Sequence, residues 1–252
     1  MSLSVRVNEV RRRSIGSALL FLLCASPAIA GHGAVLFNTR HATPGIELEL
    51  VALATGQGGQ PGKYRLRAAG VPRGITYDIW AKDFHQAVRE IASGFRIDGS
   101  GVLVSDDMGG RRPQRLDAIA IGPGPYPRGA AWDVALVSID RTIKAFARVI
   151  PHPIVAGDGP CTVSLELVSD RGDHFLASGA GFVPGEEVRI ESWSAGQVFR
   201  RRSRISTMGL LLPDVISHAA AGREWRAGYS VKGRSCEVAL EYEWGEPALQ
   251  ER

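Results

Sequence analysis

Catalytic signatures are missing from this chain. It contains no Gly-x-Ser-x-Gly elbow, no His-Glu-x-x-His pair, no Cys-x-x-Cys and no Walker loop, so the patterns that activate a serine, seat a zinc ion or cradle a phosphate are all absent. Long apolar runs are equally scarce. The one run of note, Ile15 to Cys24, is about ten residues long, half of the ~20 that a membrane-spanning helix needs. Neither sign of charge dominates: 30 Lys and Arg stand against 26 Asp and Glu, a net charge of +4. Cysteine occurs three times. The composition calls for no cofactor.

What is present begins with an export signal. Arg6, Arg11, Arg12 and Arg13 form a positive segment, Ile15 to Cys24 an apolar one, and Ala28-Ile29-Ala30 a small-residue cleavage site, the three parts of a secretory leader. Residues 1–30 are therefore read as a signal peptide and the mature chain as exported, to the periplasm or beyond, with no transmembrane anchor. Removing four Arg and Glu9 lowers the net charge from +4 to +1. Cys24 leaves as well, so Cys161 and Cys236 remain as a pair in an oxidising compartment.

The remainder carries an internal repeat. GAGFVPGEEVRIESW from Gly179 to Trp193, followed later by RISTMGLLLPDV, has a looser copy in AAGVPRGITYDIW and FRIDGSGVLV between Ala68 and Val104. Each copy holds a Gly- and Pro-containing turn, an alternating strand ending at Trp, and a second strand broken by a Gly turn. Short alternating runs between Gly, Pro and Asp turns fill most of the chain and indicate an all-β sandwich. Asp83 to Ala92 fits a short helix capped by Asp83 as well as it fits a hairpin. The expected layout is an arm over 31–45, a first sandwich over 46–153, a Pro- and Gly-rich linker over 154–159 and a second sandwich over 160–248.

The segment GAGFVPGEEVRIESW, with the turn at Met208-Gly209 and the final alternating strand, resembles the bacterial immunoglobulin-like and IPT-type β-sandwich repeats, which carry a GxGFxPGE hairpin. The likeness is good over the second half and weak in the first, where Val71-Pro72-Arg73-Gly74 replaces the motif. It implies two tandem immunoglobulin-like domains serving as spacer, adhesion or ligand-binding modules, and it transfers no catalytic residue. First and last strands run side by side in such sandwiches, which predicts a Cys161–Cys236 disulfide.

Candidate sites are few. Both copies place a Trp on the polar side of the same strand, so Trp80 and Trp193, the latter with Arg189 and Glu191, are candidate ligand-binding residues for a carbohydrate; packing at a sheet edge or interface is the alternative. Trp132 and Trp225 read as an equivalent core pair. Arg200, Arg201, Arg202 and Arg204, with Arg111, Arg112 and Arg115 second, suit an anionic envelope polysaccharide or lipid headgroup, or else a solvated edge strand; nucleic acid does not suit an exported chain of low net charge. Asp106-Asp107 and Asp170-x-x-Asp173 read as turns rather than calcium ligands. Of the six histidines (His32, His41, His85, His152, His174 and His218), none forms a chelating spacing. His32 is the exception: cleavage one residue past Gly31's start would set it at the terminus, where amine and imidazole chelate copper as in lytic polysaccharide monooxygenases. The reading is a non-catalytic exported binding or structural module of the envelope, with carbohydrate or another exported protein as partner. A secreted copper protein is the alternative.

Overall fold

The computed structural model describes residues 35–53, 62–105, 114–219 and 225–251. Within these the chain is all-β, with seventeen strands in four antiparallel sheets. The first half supplies β1 (Glu47–Ala52), β2 (Tyr64–Ala69), β3 (Tyr77–Lys82), β4 (Val88–Ile97), β5 (Leu103–Ser105), β6 (Gln114–Arg115), β7 (Ala120–Ile121), β8 (Trp132–Ser138) and β9 (Lys144–Val149). These make a three-stranded sheet, β1-β2-β7, facing a six-stranded sheet, β6-β5-β4-β3-β8-β9. The second half supplies β10 (Ile154–Asp158), β11 (Cys161–Leu167), β12 (His174–Ala180), β13 (Glu187–Ser194), β14 (Gln197–Arg204), β15 (Leu211–Ser217), β16 (Arg226–Lys232) and β17 (Glu237–Glu243). Here β10-β11-β12-β15 faces β14-β13-β16-β17. The result is the expected tandem of β-sandwiches.

Period-two patterning produces these strands. In β17 the sequence EVALEYE buries Val238, Leu240 and Tyr242 and exposes the four residues between and around them; β11 buries Cys161, Val163, Leu165 and Leu167 on one face. Aromatic rings join the facing sheets. Tyr64 lies 6.1 Å from Trp132 in the first sandwich, and Phe175 lies 4.8 Å from Tyr242 in the second. Turns follow side-chain chemistry: Asp98 accepts from the N–H groups of Ser100 and Val102, both at 2.9 Å, closing the β4–β5 hairpin. Asp83 does the same for Ala87 N–H at 2.9 Å, and Gln86 takes a positive φ of 66°. Of the two forms open to residues 83–92, the hairpin is the one adopted.

The segment expected as a linker is different. Ile154–Asp158 is the edge strand β10, paired throughout with β11, and Ile154 is buried. Three prolines and two glycines between Pro151 and Pro160 signal a break, but Ile154-Val155-Ala156 between them is long enough to pair. The turn is confined to 151–153. The two halves also touch. Leu167 N–H donates to the Gly129 carbonyl at 2.9 Å, and Arg148 pairs with Glu166 at 2.6 Å.

Cys161 and Cys236 form the expected disulfide, with Cα atoms 6.3 Å apart. It joins the two facing sheets of the second sandwich rather than neighbours in one sheet, because β11 and β17 lie in opposite layers. Glu186, of the PGEE turn, is buried. Its carboxylate accepts from Val183 N–H and Arg234 N–H, each at 2.8 Å, so it ties the turn before β13 to the turn between β16 and β17. Among the described residues no helix is long and apolar enough to cross a membrane.

Candidate functional site

Strand alternation sends Glu187, Arg189, Glu191 and Trp193 of β13 to the outer face of the second sandwich, while Val188 and Ile190 enter the core. Register extends this line into rows. Arg189 lies between Arg202 of β14 and Lys232 of β16, Glu191 between Arg200 and Ser230, and Trp193 between Val198 and Gly228. The sequence candidates Arg189, Glu191 and Trp193 thus share one face, with Trp193 two rows from Arg189.

Trp193 is half-buried. Its indole covers Gly228, where a Cβ would collide with Nε1, Cε2 and Cζ2. Glycine there lets the ring lie close on the backbone. At the other end of the face, Glu187, Arg189, Arg202, Lys232 and Arg234 line a groove of about 320 Å³. Arg202 pairs with Glu187 at 3.0 Å and Lys232 with Glu237 at 2.5 Å; Arg200 pairs with Glu191 at 2.7 Å. Among the described residues, the guanidinium groups of Arg189 and Arg234 have no ion-pair partner. Cations outnumber acids around this groove, and two of them have no counter-charge.

Trp80 stands elsewhere. It lies on the outer face of the six-stranded sheet, packed with Phe37, Val88 and Phe146 against Val35, Ala135 and Val137, with the Arg141 guanidinium 5.6 Å from its ring. The two Trp residues are also not equivalent in register. Gly70 and Gly74 match Gly181 and Gly185, all at positive φ, and Ile79 opposes Leu136 as Ile190 opposes Val231. Trp80 therefore sits level with Glu191, and Lys82 level with Trp193. By the same register Trp132 matches Ala227, two residues past Trp225. Trp132 is fully buried, whereas Trp225 is half-buried against Trp244, 5.2 Å away. Counting residues to the nearest Trp misaligned both pairs by one strand repeat.

Among the described residues, the histidines form no ligand set. His174 Nδ1 lies 2.6 Å from Asp173, and His218 is buried, bonded to Ser194 Oγ at 3.0 Å and Tyr242 OH at 2.9 Å. Burial lowers the His218 pKa to about 4, so its imidazole is neutral in the fold. Among the described residues, no three His, Cys, Asp or Glu side chains gather around a point. Arg115 pairs with Asp117 at 2.9 Å. His32, Asp106, Asp107, Arg111, Arg112 and the signal segment lie outside the described residues. Sequence reasoning missed Lys232 and Arg234, which are some forty residues from β13, and missed Gly228; only the β13–β16 register reveals them.

No protein-family model matches the chain, and no curated protein matches it. Among solved structures it is similar to the tetra-tandem repeat in the extending region of a large adhesion protein, at 14% identity and a TM-score of 0.24, over 79% of this chain and 49% of that one. The chain thus spans about half the length of that structure.

Proposed function

We propose that this chain is a non-catalytic exported binding module of the bacterial cell envelope, with two IPT-type, immunoglobulin-like domains, whose second sandwich binds an anionic polysaccharide on its outer face. The domain division lies at 151–153. Export is supported by the leader-like segment at 1–30 and by the Cys161–Cys236 bridge, which persists in oxidising compartments. The observation that carries the ligand is the juxtaposition, on one sheet face, of the half-buried Trp193 indole with the groove of Arg189, Arg202, Lys232 and Arg234. A sugar ring stacks on an indole, and a carboxylate two rows away meets guanidinium groups free to pair.

The experiment is a titration of the oxidised protein with a uronic-acid polymer and with neutral dextran. The acidic polymer binds, the neutral one does not, and added salt weakens the interaction. Trp193→Ala and Arg189→Ala each lower affinity about tenfold with little change in melting temperature. Absence of binding, or a large fall in the Trp193→Ala melting temperature with binding unchanged, refutes the assignment and leaves Trp193 a packing residue.

A further inference from the structure

The two sandwiches turn in the same way after β4 and after β14 and continue differently. Asp98 N–H donates to Val102 O and Gly101 N–H to Asp98 O; in the second copy Ser206 N–H donates to Leu210 O and Gly209 N–H to Ser206 O. Gly101 and Gly209 both take positive φ, and the residues two beyond them, Leu103 and Leu211, are both buried. After this shared turn, β5 stays beside β4, with Phe95 opposite Ser105 and Ile97 opposite Leu103, and β6 adds outside it. In the second copy β15 crosses to the other sheet and pairs with β12. Pro213 stands where Ser105 does, a position whose N–H points away from β4 in the first copy, so the proline does not by itself forbid that ladder. Phe182 N–H donates to Gly209 O at 3.2 Å, which draws the turn toward the opposite layer.

Among the described residues, the position that β5 fills in the first sandwich is therefore unfilled in the second, and β14 is an edge strand. Its eight residues pair with β13 in unbroken register, without Pro or bulge; what guards this edge is charge, the arginines at 200, 201, 202 and 204. The facing edge, β15, has Pro213 and a register shift between Ala177 and Gly179. Between β14 and β15 runs a groove of about 450 Å³, lined by Ile190, Phe199, Arg201, Asp214, Val215 and Tyr229 among others. Phe199 and Val215 are each 60% exposed, and the buried Tyr229 lies with its hydroxyl beside the Arg201 side chain. Arg201 pairs with Asp214 across the opening.

Side-chain alternation on β14 defines what fits. Arg200, Arg202 and Arg204 line its outer face and Phe199 its groove face. A second copy of β14 would set arginines against arginines, which destabilises a strand pair. We propose that the β14 edge binds a partner protein by strand addition: an extended segment of alternating acidic and apolar residues lies antiparallel to Gln197–Arg204, as β5 lies on β4. Its carboxylates face Arg200, Arg202 and Arg204, and its apolar side chains enter the groove beside Phe199 and Val215. Backbone hydrogen bonds supply affinity, and the side chains select the partner.

The test uses the full oxidised chain and a capped seven-residue peptide of alternating Glu and Val, beside one with Lys for Glu and one with alternate amides N-methylated. The Glu peptide binds and protects the β14 amides from hydrogen exchange, and the other two do not. In the double variant R200E/R202E the fold is retained but the melting temperature falls by a few degrees, because the new carboxylates face Glu191 and Glu187; the Glu peptide loses about tenfold or more in affinity, and the Lys peptide gains. Trp193→Ala leaves peptide binding unchanged, which separates this edge from the proposed polysaccharide face. The proposal is overturned by any of four results: no Glu-peptide binding, binding that R200E/R202E does not alter, binding without protection of β14, or a β14-mediated dimer of the free chain. Weaker binding of the uronic-acid polymer to R200E/R202E is also expected, because Arg202 lines the polysaccharide groove.

Discussion

Replacing Glu186 tests how the second sandwich is clamped. Its carboxylate is buried and accepts two backbone N–H groups, from Val183 and Arg234, at 2.8 Å each. In Glu186→Ala both donors lose their acceptor. An unsatisfied buried donor costs about 1–3 kcal/mol, and these two bonds are part-buried, so the variant should lose about 1–4 kcal/mol. Glu186→Gln keeps one acceptor but turns an NH₂ toward the second donor, and should lose about 1–3 kcal/mol. The neighbouring Glu187→Ala is the control. Its pair with Arg202 is 62% and 71% exposed, and exposed pairs contribute less than about 1 kcal/mol. Gly233→Ala should act like Glu186→Ala in milder form, since its Cβ would come 2.9 Å from Glu186 Oε1. Urea unfolding of the four oxidised proteins, at pH 7 and fixed salt, measures the differences. A Glu186→Ala unfolding free energy within about 0.5 kcal/mol of that of Glu187→Ala would falsify the clamp, and the PGEE carboxylate would then be replaceable by water.

The disulfide, the buried histidine and the domain division each carry an expectation of their own. The Cys161–Cys236 bridge closes a 75-residue separation, worth about 4 kcal/mol in the chain-entropy model; reduction should lower the urea midpoint of the second sandwich, and an unchanged midpoint would show that the constraint is redundant. His218, with its pKa lowered to about 4 by burial, stays neutral in the fold while the unfolded chain takes up a proton below about 6.5. Stability should therefore fall between about pH 6.5 and pH 4, by up to about 3 kcal/mol, and level off below; His218→Gln should remove this slope, and an equal slope in the variant would locate the titration elsewhere. The domain proposal predicts that residues 152–252 fold cooperatively alone, whereas 158–252, lacking β10 and the buried Ile154, are less stable; failure of the longer fragment to fold would mean that the contacts at Gly129 and Arg148 are indispensable.

What the sequence by itself determined was local. Alternation in EVALEYE and CTVSLEL, and turn chemistry at Asp98 and Gly101, dictate strands and hairpins because a period of two and a positive φ are properties of neighbouring residues. The repeat announced two sandwiches, and two cysteines were enough to anticipate their bridge. Tertiary structure alone decided which strands lie side by side. Pro213 in place of Ser105 reads in the sequence as one more edge proline, yet it accompanies the transfer of a strand to the opposite sheet, a choice governed by a ladder partner distant in the chain. Trp80 and Trp193 look alike in their copies; register puts one under the arm containing Val35 and Phe37, and the other over Gly228, thirty-five residues away. Glu186 reaches Arg234 across forty-eight residues. Such pairings depend on how sheets stack and on which side chain fills the space between them, so they arise from packing and carry no local signal.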